Sequence, residues 1–93
     1  MKTVWKYELV VTELQTIRMP TGALVLAVDK QGCSREALHL WVLVDPSKPS
    51  AGLDVWIRGT GQDVDIPEYA RYIGTVLLYG GNLVWHIWAG WGP

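Results

Sequence analysis

Residues 72 to 88, YIGTVLLYGGNLVWHIW, constrain the chain more than any other stretch. They are rich in Val, Ile, Leu, Thr, Tyr and Trp, the residues that fit a pleated, half-buried surface. Gly80, Gly81 and Asn82 adopt positive φ at little steric cost, as a tight hairpin turn of two or three residues requires. On the second arm Leu83, Trp85 and Ile87 face one way and Val84, His86 and Trp88 the other. On the first arm Ile73, Thr75, Leu77 and Tyr79 alternate against Gly74, Val76 and Leu78. Neither face is plainly polar, which places the pair centrally in a sheet or against another surface. Gly74 and the glycine pair argue against a helix.

The rest of the chain repeats this pattern at short intervals. Thr3–Val11 alternates, with Trp5, Tyr7, Leu9 and Val11 on one face and Lys6 and Glu8 on the other. Gln15–Met19 reads as a brief second strand, and Pro20-Thr21-Gly22 as a turn. Ala23–Asp29 is a third strand, apolar on both faces. Residues 30–35 read as a loop. Residues 36–44 are ambiguous, because Ser34 could cap a helix through Trp41. The apolar run into Asp45-Pro46 favours a strand paired with the third, with Leu38, Leu40, Val42 and Val44 on one face. Residues 45–52 form a polar loop, and Leu53–Arg58 a fifth strand. A long irregular passage from Gly59 to Arg71 follows, of a length that is more often functional than idle. The last five residues read as a tail in which Trp91 docks on the core or on another chain. The expected fold is therefore all-β: one domain over residues 1–93, an antiparallel sandwich or open barrel of six to seven strands ending in a hairpin.

Composition narrows function mainly by exclusion. Eight basic and nine acidic residues are spread along the 93-residue chain, so no basic stripe for duplex nucleic acid is expected. No apolar run approaches the ~18 residues of a membrane span. Lys2 is followed by charged and polar residues, so no signal peptide is expected. A single Cys33 allows no internal disulfide and fits a reducing cytoplasm. Charged residues are 18% of the chain, against ~25% in average domains. Six Trp, four Tyr and no Phe favour surfaces that are partly buried and partly wet. Self-association into a homo-oligomer, or a ligand cleft, would absorb that surface.

Chemistry-bearing residues are few. In Arg58-Gly59-Thr60-Gly61-Gln62, glycine-flanked N–H groups and a bidentate guanidinium could meet a phosphate. The bland alternative is a strand ending in a glycine turn with Arg58 solvated, since the lysine and helix of a phosphate loop are missing. His39 and His86 sit inside strands, and with Cys33 they have no metal-ligand spacing. No metal or cofactor is expected. Each His reads as a hydrogen-bonded core residue or as a group that contacts a ligand base. Asp63, Asp65 and Glu68 read as a solvated acidic loop. No serine sits in a nucleophile elbow, so no enzymatic activity is expected.

The strings TVWKYEL, QTIRMPTGALVLAV, LHLWVLVDP, IRGTG and YIGTVLLYGGNLVWHIW span nearly the whole length. Together they resemble a family of small proteins of unknown function from tailed phages and prophages. Gly59-Thr60-Gly61, Tyr72-Ile73-Gly74-Thr75 and His86 match that pattern, whereas the indole-rich end, Trp85, Trp88 and Trp91, departs from it. The resemblance implies phage origin and a host-cytoplasmic setting. The expectation that follows is a non-enzymatic counter-defence protein that sequesters a nucleotide-type signal at seams between copies. Its ligand site would hold Arg58, Gly59, Thr60, Gly61, Trp56, Tyr72, His86 and Trp88. The alternatives are a direct inhibitor of a host defence protein and an accessory structural or assembly protein.

Overall fold

A computed structural model describes residues 1–32 and 35–92. Seven strands follow in chain order: β1 (Thr3–Leu9), β2 (Leu14–Pro20), β3 (Leu24–Gln31), β4 (Ala37–Val44), β5 (Ser50–Gly59), β6 (Arg71–Leu78) and β7 (Leu83–Trp91). They form two antiparallel sheets, ordered β1-β4-β3 and β2-β5-β7-β6, packed as a sandwich and not closed into a barrel. Among the described residues the only helical element is a 3-10 turn at Tyr79–Gly81. Among the described residues no helix is long and apolar enough to cross a membrane.

Period-two alternation sets the core. Leu38, Leu40, Val42 and Val44 of β4 face Leu53, Val55 and Ile57 of β5 and Ile87 and Ala89 of β7, and all are buried. Slipping any of these strands by one residue would turn its whole apolar set outward, so the register is strongly specified. β4 and β5 are the interior strands on which this alternation is cleanest. The ambiguous stretch resolves as a strand from Ala37, paired on both sides with β1 and β3. Ser34, its candidate helix cap, and Cys33 lie outside the described residues.

Four local expectations change. β3 runs on to Gln31 because β4 continues to pair with it through Gln31↔Ala37. β5 begins at Ser50, because β2 pairs with Ser50, Ala51 and Gly52. The hairpin between β6 and β7 uses four residues, Tyr79 to Asn82. Tyr79, Gly80 and Gly81 all have positive φ there (51°, 68° and 92°), which a shorter turn would not need. The expected tail is strand: β7 pairs with β5 as far as Leu53↔Trp91.

Two edge strands, β3 and β6, lie side by side where the sheets meet. Gly74 of β6 eases this approach, since a Cβ would stand 3.0 Å from Cγ1 of Val28 and that methyl would have to shift. Each of these strands carries one extra residue. The register slips at Leu26 of β3 and at Ile73 of β6. Such bulges bend a strand and redirect its side chains.

Candidate functional site

The outward face of the four-stranded sheet is roofed by the long passage of residues 60–70. Asp54 on β5 starts the attachment: one carboxylate oxygen accepts the Thr16 hydroxyl at 2.7 Å and the other accepts the Tyr69 hydroxyl at 2.9 Å. That bond, with burial, holds the Tyr69 phenol above its ordinary value. The Tyr69 ring meets Trp56 edge-on at 5.6 Å, and Trp56 is left only 5% exposed although it points away from the core. Gly90 of β7 supplies the notch for this cover. A Cβ there would stand 2.7 Å from the Tyr69 carbonyl oxygen and 2.9 Å from Cα of Ala70.

Arg58 anchors the other end. Its Nη1 donates to the carbonyls of Glu13 (2.7 Å) and Ile57 (3.0 Å), and its Nε donates to that of Asp63 (3.2 Å). Asp65 lies 3.7 Å from Nη2. The residue is 8% exposed. Its fork is therefore occupied by main chain, and it ties the roof to the β1–β2 connection. The following turn is also internally closed. The Gln62 side chain accepts the Gly59 N–H, and Gln62 N–H donates to the Gly59 carbonyl at 3.1 Å. Gly61, at φ 92°, has open space around it.

A polar chain runs across β6 and β7 beside this roof. His86 is half-buried. Its Nε2 lies 2.8 Å from Thr60 Oγ1 and its Nδ1 2.9 Å from Thr75 Oγ1. Thr75 in turn hydrogen-bonds the Tyr72 hydroxyl. Tyr72 packs edge-on against Trp88, ring centres 5.6 Å apart. A neutral imidazole has one donor and one acceptor, and the two threonine hydroxyls can serve either arrangement. Neither nitrogen is oriented by a carboxylate. Among the described residues no three His, Cys, Asp or Glu side chains converge on a metal position.

A concavity opens at the β3–β6 seam, where both strands bulge. It encloses about 640 Å³, and its walls include Leu24 and Leu26 of β3, Arg71, Tyr72 and Ile73 of β6, and Trp91 of β7. Tyr69 joins them from the roof. Trp91 is fixed by its indole N–H, which donates to the Ala23 carbonyl at 3.2 Å. Arg71 is exposed, with no ion pair among the described residues. The cleft thus offers three aromatic rings, aliphatic walls and one planar cation.

Of the eight residues expected to meet a ligand, Tyr72 lines this cleft. His86 and Thr60 connect to it through hydrogen bonds, and Trp88 packs behind it. Trp56, Arg58, Gly59 and Gly61 belong to the roof and its hinge turn. Sequence reasoning did not single out Arg71, Tyr69 or Trp91 as a group. Two one-residue bulges and a loop return bring them together, and no spacing in the chain announces that.

The profile of a domain of unknown function, DUF7352, matches residues 1–93, and the chain belongs to that family. No curated protein and no solved structure matches it.

Proposed function

We propose that this chain is a non-enzymatic binding protein that holds a small nucleotide-type ligand in the cleft between β3 and β6. We place it in a phage-encoded counter-defence role, in the host cytoplasm, where it sequesters a nucleotide-type signal. The observation that carries this reading is the aromatic-walled cleft with an exposed arginine at its mouth. A volume of about 640 Å³ lies within the ~300–1,000 Å³ of small-molecule sites. Base stacking on aromatic side chains contributes ~1–3 kcal/mol per base. A guanidinium meets phosphate oxygens with two parallel hydrogen bonds. The roof anchored by Arg58 holds Tyr69 against Trp56, so one wall is rigid before a ligand arrives, which reduces the ordering cost of binding. Capture rather than turnover is favoured by the polar chain, in which both His86 nitrogens are held by threonines.

Thermal melting against a panel of linear and cyclic nucleotides tests this. A ligand at ~100-fold above its Kd stabilises by about 2.7 kcal/mol, a rise of about 10 °C or more for a chain of this size. The ligand should be recovered intact. Arg71→Ala should weaken binding about tenfold or more while the unliganded melting temperature stays put. No shift across the panel at saturating concentration overturns the proposal, and a co-purifying host protein in that case would favour direct inhibition. A degraded ligand would make the chain an enzyme.

A further inference from the structure

Four sheet edges exist in this fold, and they are not treated alike. β3 and β6 shield one another at the seam. β2 is interrupted by Pro20 at its end only, where the N–H is missing. β1 is the edge on which exposed apolar side chains gather beside opposite charges: Val4 (50%), Trp5 (40%) and, just beyond its end, Val10 (67%). An open edge of this kind is a template for another strand.

The sequence of β1 selects which strand. A two-fold axis perpendicular to the sheet keeps the faces of both copies aligned, so cross-strand partners must have the same parity. Centred on Lys6, an antiparallel β1–β1 pair sets two ammonium groups against each other. Centred on Trp5, it pairs Glu8 with Lys2 but sets Lys6 against Val4. Centred on Tyr7, it places each Lys6 opposite a Glu8, each Trp5 opposite a Leu9 and each Val4 opposite a Val10. Only the last register joins opposite charges in the middle and apolar groups with apolar groups outside them. Both charged side chains make exposed contacts that a second copy can replace. Glu8 lies 3.7 Å from His39 Nε2 with its side chain 68% exposed, and Lys6 donates to the exposed Gln31 amide oxygen at 2.6 Å. The Gln15 amide already satisfies the N–H and C=O of Val10 (3.1 and 2.6 Å). The ladder would therefore stop at Leu9, with Val10 contributing side-chain contact alone.

We propose that β1 pairs with β1 of a second copy about a two-fold axis at Tyr7, making one continuous six-stranded sheet β3-β4-β1-β1-β4-β3. The cleft lies at the β3 margin, two strands away, so the pairing leaves it open and does not depend on what it binds.

Charge reversal tests the register. Sedimentation equilibrium of the wild-type chain should show a monomer–dimer system. Lys6→Glu and Glu8→Lys should each weaken the dimer about tenfold or more, because two symmetric pairs change from attraction to repulsion. The double variant K6E/E8K should restore dimerisation, and an equimolar mixture of the two single variants should form a heterodimer. Both positions are exposed, and matching circular dichroism spectra confirm that the variants fold. A wild-type chain that stays monomeric up to about millimolar concentration, the 4 kcal/mol range of the weakest association, overturns the proposal. So do single variants that dimerise unimpaired, or a double variant that stays monomeric.

Discussion

The two sheets turn very different outer faces to their surroundings. Each has a tryptophan at the middle of an interior strand pointing away from the core: Trp56 on β5 and Trp41 on β4. Trp56 is almost wholly covered, by Tyr69 and the passage around it. Trp41 is half-buried, its ring centre 6.1 Å from that of His39. Strand position therefore does not decide the fate of an outward indole. An eleven-residue connection and the groups that hold it down decide it. One face acquires a third layer with fixed aromatics at its margin. The other leaves its central tryptophan half-exposed.

Exchanging the tryptophans for alanine is the strongest way to probe this contrast. Trp56→Ala should cost about 3–5 kcal/mol, as for other buried aromatic truncations, and should loosen Tyr69. Trp41→Ala should cost about half as much by the same denaturant titration, since less of its surface is removed from water. Equal losses would mean that the roof contributes nothing. Next in size is Arg58→Ala, expected to cost about 3 kcal/mol because the carbonyls of Glu13, Ile57 and Asp63 lose a charged donor. Lysine at 58 should not restore it, since one ammonium lacks the planar fork that reaches several carbonyls. Hydrogen exchange should quicken over residues 60–70 and leave β1, β3 and β4 unchanged.

The smallest effect concerns Glu36, at the start of β4. It accepts the Tyr79 N–H at 2.6 Å and lies 3.3 Å from Lys30 Nζ, joining the three-stranded sheet to the hairpin turn of the roofed one. The Tyr79 N–H, followed by Lys30, holds its carboxyl below the ordinary 4.5. A folded pKa below the unfolded one means that the stabilisation is complete above that ordinary value and is lost as pH falls through the folded pKa. Acidification from neutrality to below about pH 4.5 should thus lower the melting temperature of the wild-type chain more than that of Glu36→Gln. Identical pH curves would remove Glu36 from the link between sheets.

Much of the sandwich is legible in the sequence, because burial on one face forces alternation. Leu38, Leu40, Val42 and Val44, and Leu53, Val55 and Ile57, can be assigned inward from period two alone. The strand at 37–44 is harder, since its residues suit a helix as well, and only the partners on both sides settle it. The candidate site is legible in fragments. Thr60, Tyr72, His86 and Trp88 can be singled out, but not the hydrogen bonds that join Tyr72, Thr75, His86 and Thr60. Arg58 illustrates the limit. A guanidinium beside a glycine turn suits an anion equally well as a set of carbonyls, and the carbonyls that capture it come from residues 13 and 63. Gly90 is equally silent, because the need for hydrogen at that position comes from Tyr69 and Ala70.

The extra residue at Ile73 has a consequence for how this family can tolerate length change. Tyr72 and Thr75 are three positions apart, yet they share a face and a hydrogen bond only because the strand gains one residue between them. Deleting Ile73 would close the bulge into a regular ladder, in which Tyr72 still pairs with Trp88 and Thr75 with His86, so both keep the face they share. A one-codon deletion at the bulge would thus be absorbed by the strand, whereas the same deletion between Thr75 and Leu78 would turn one side of the strand over and scramble the cleft.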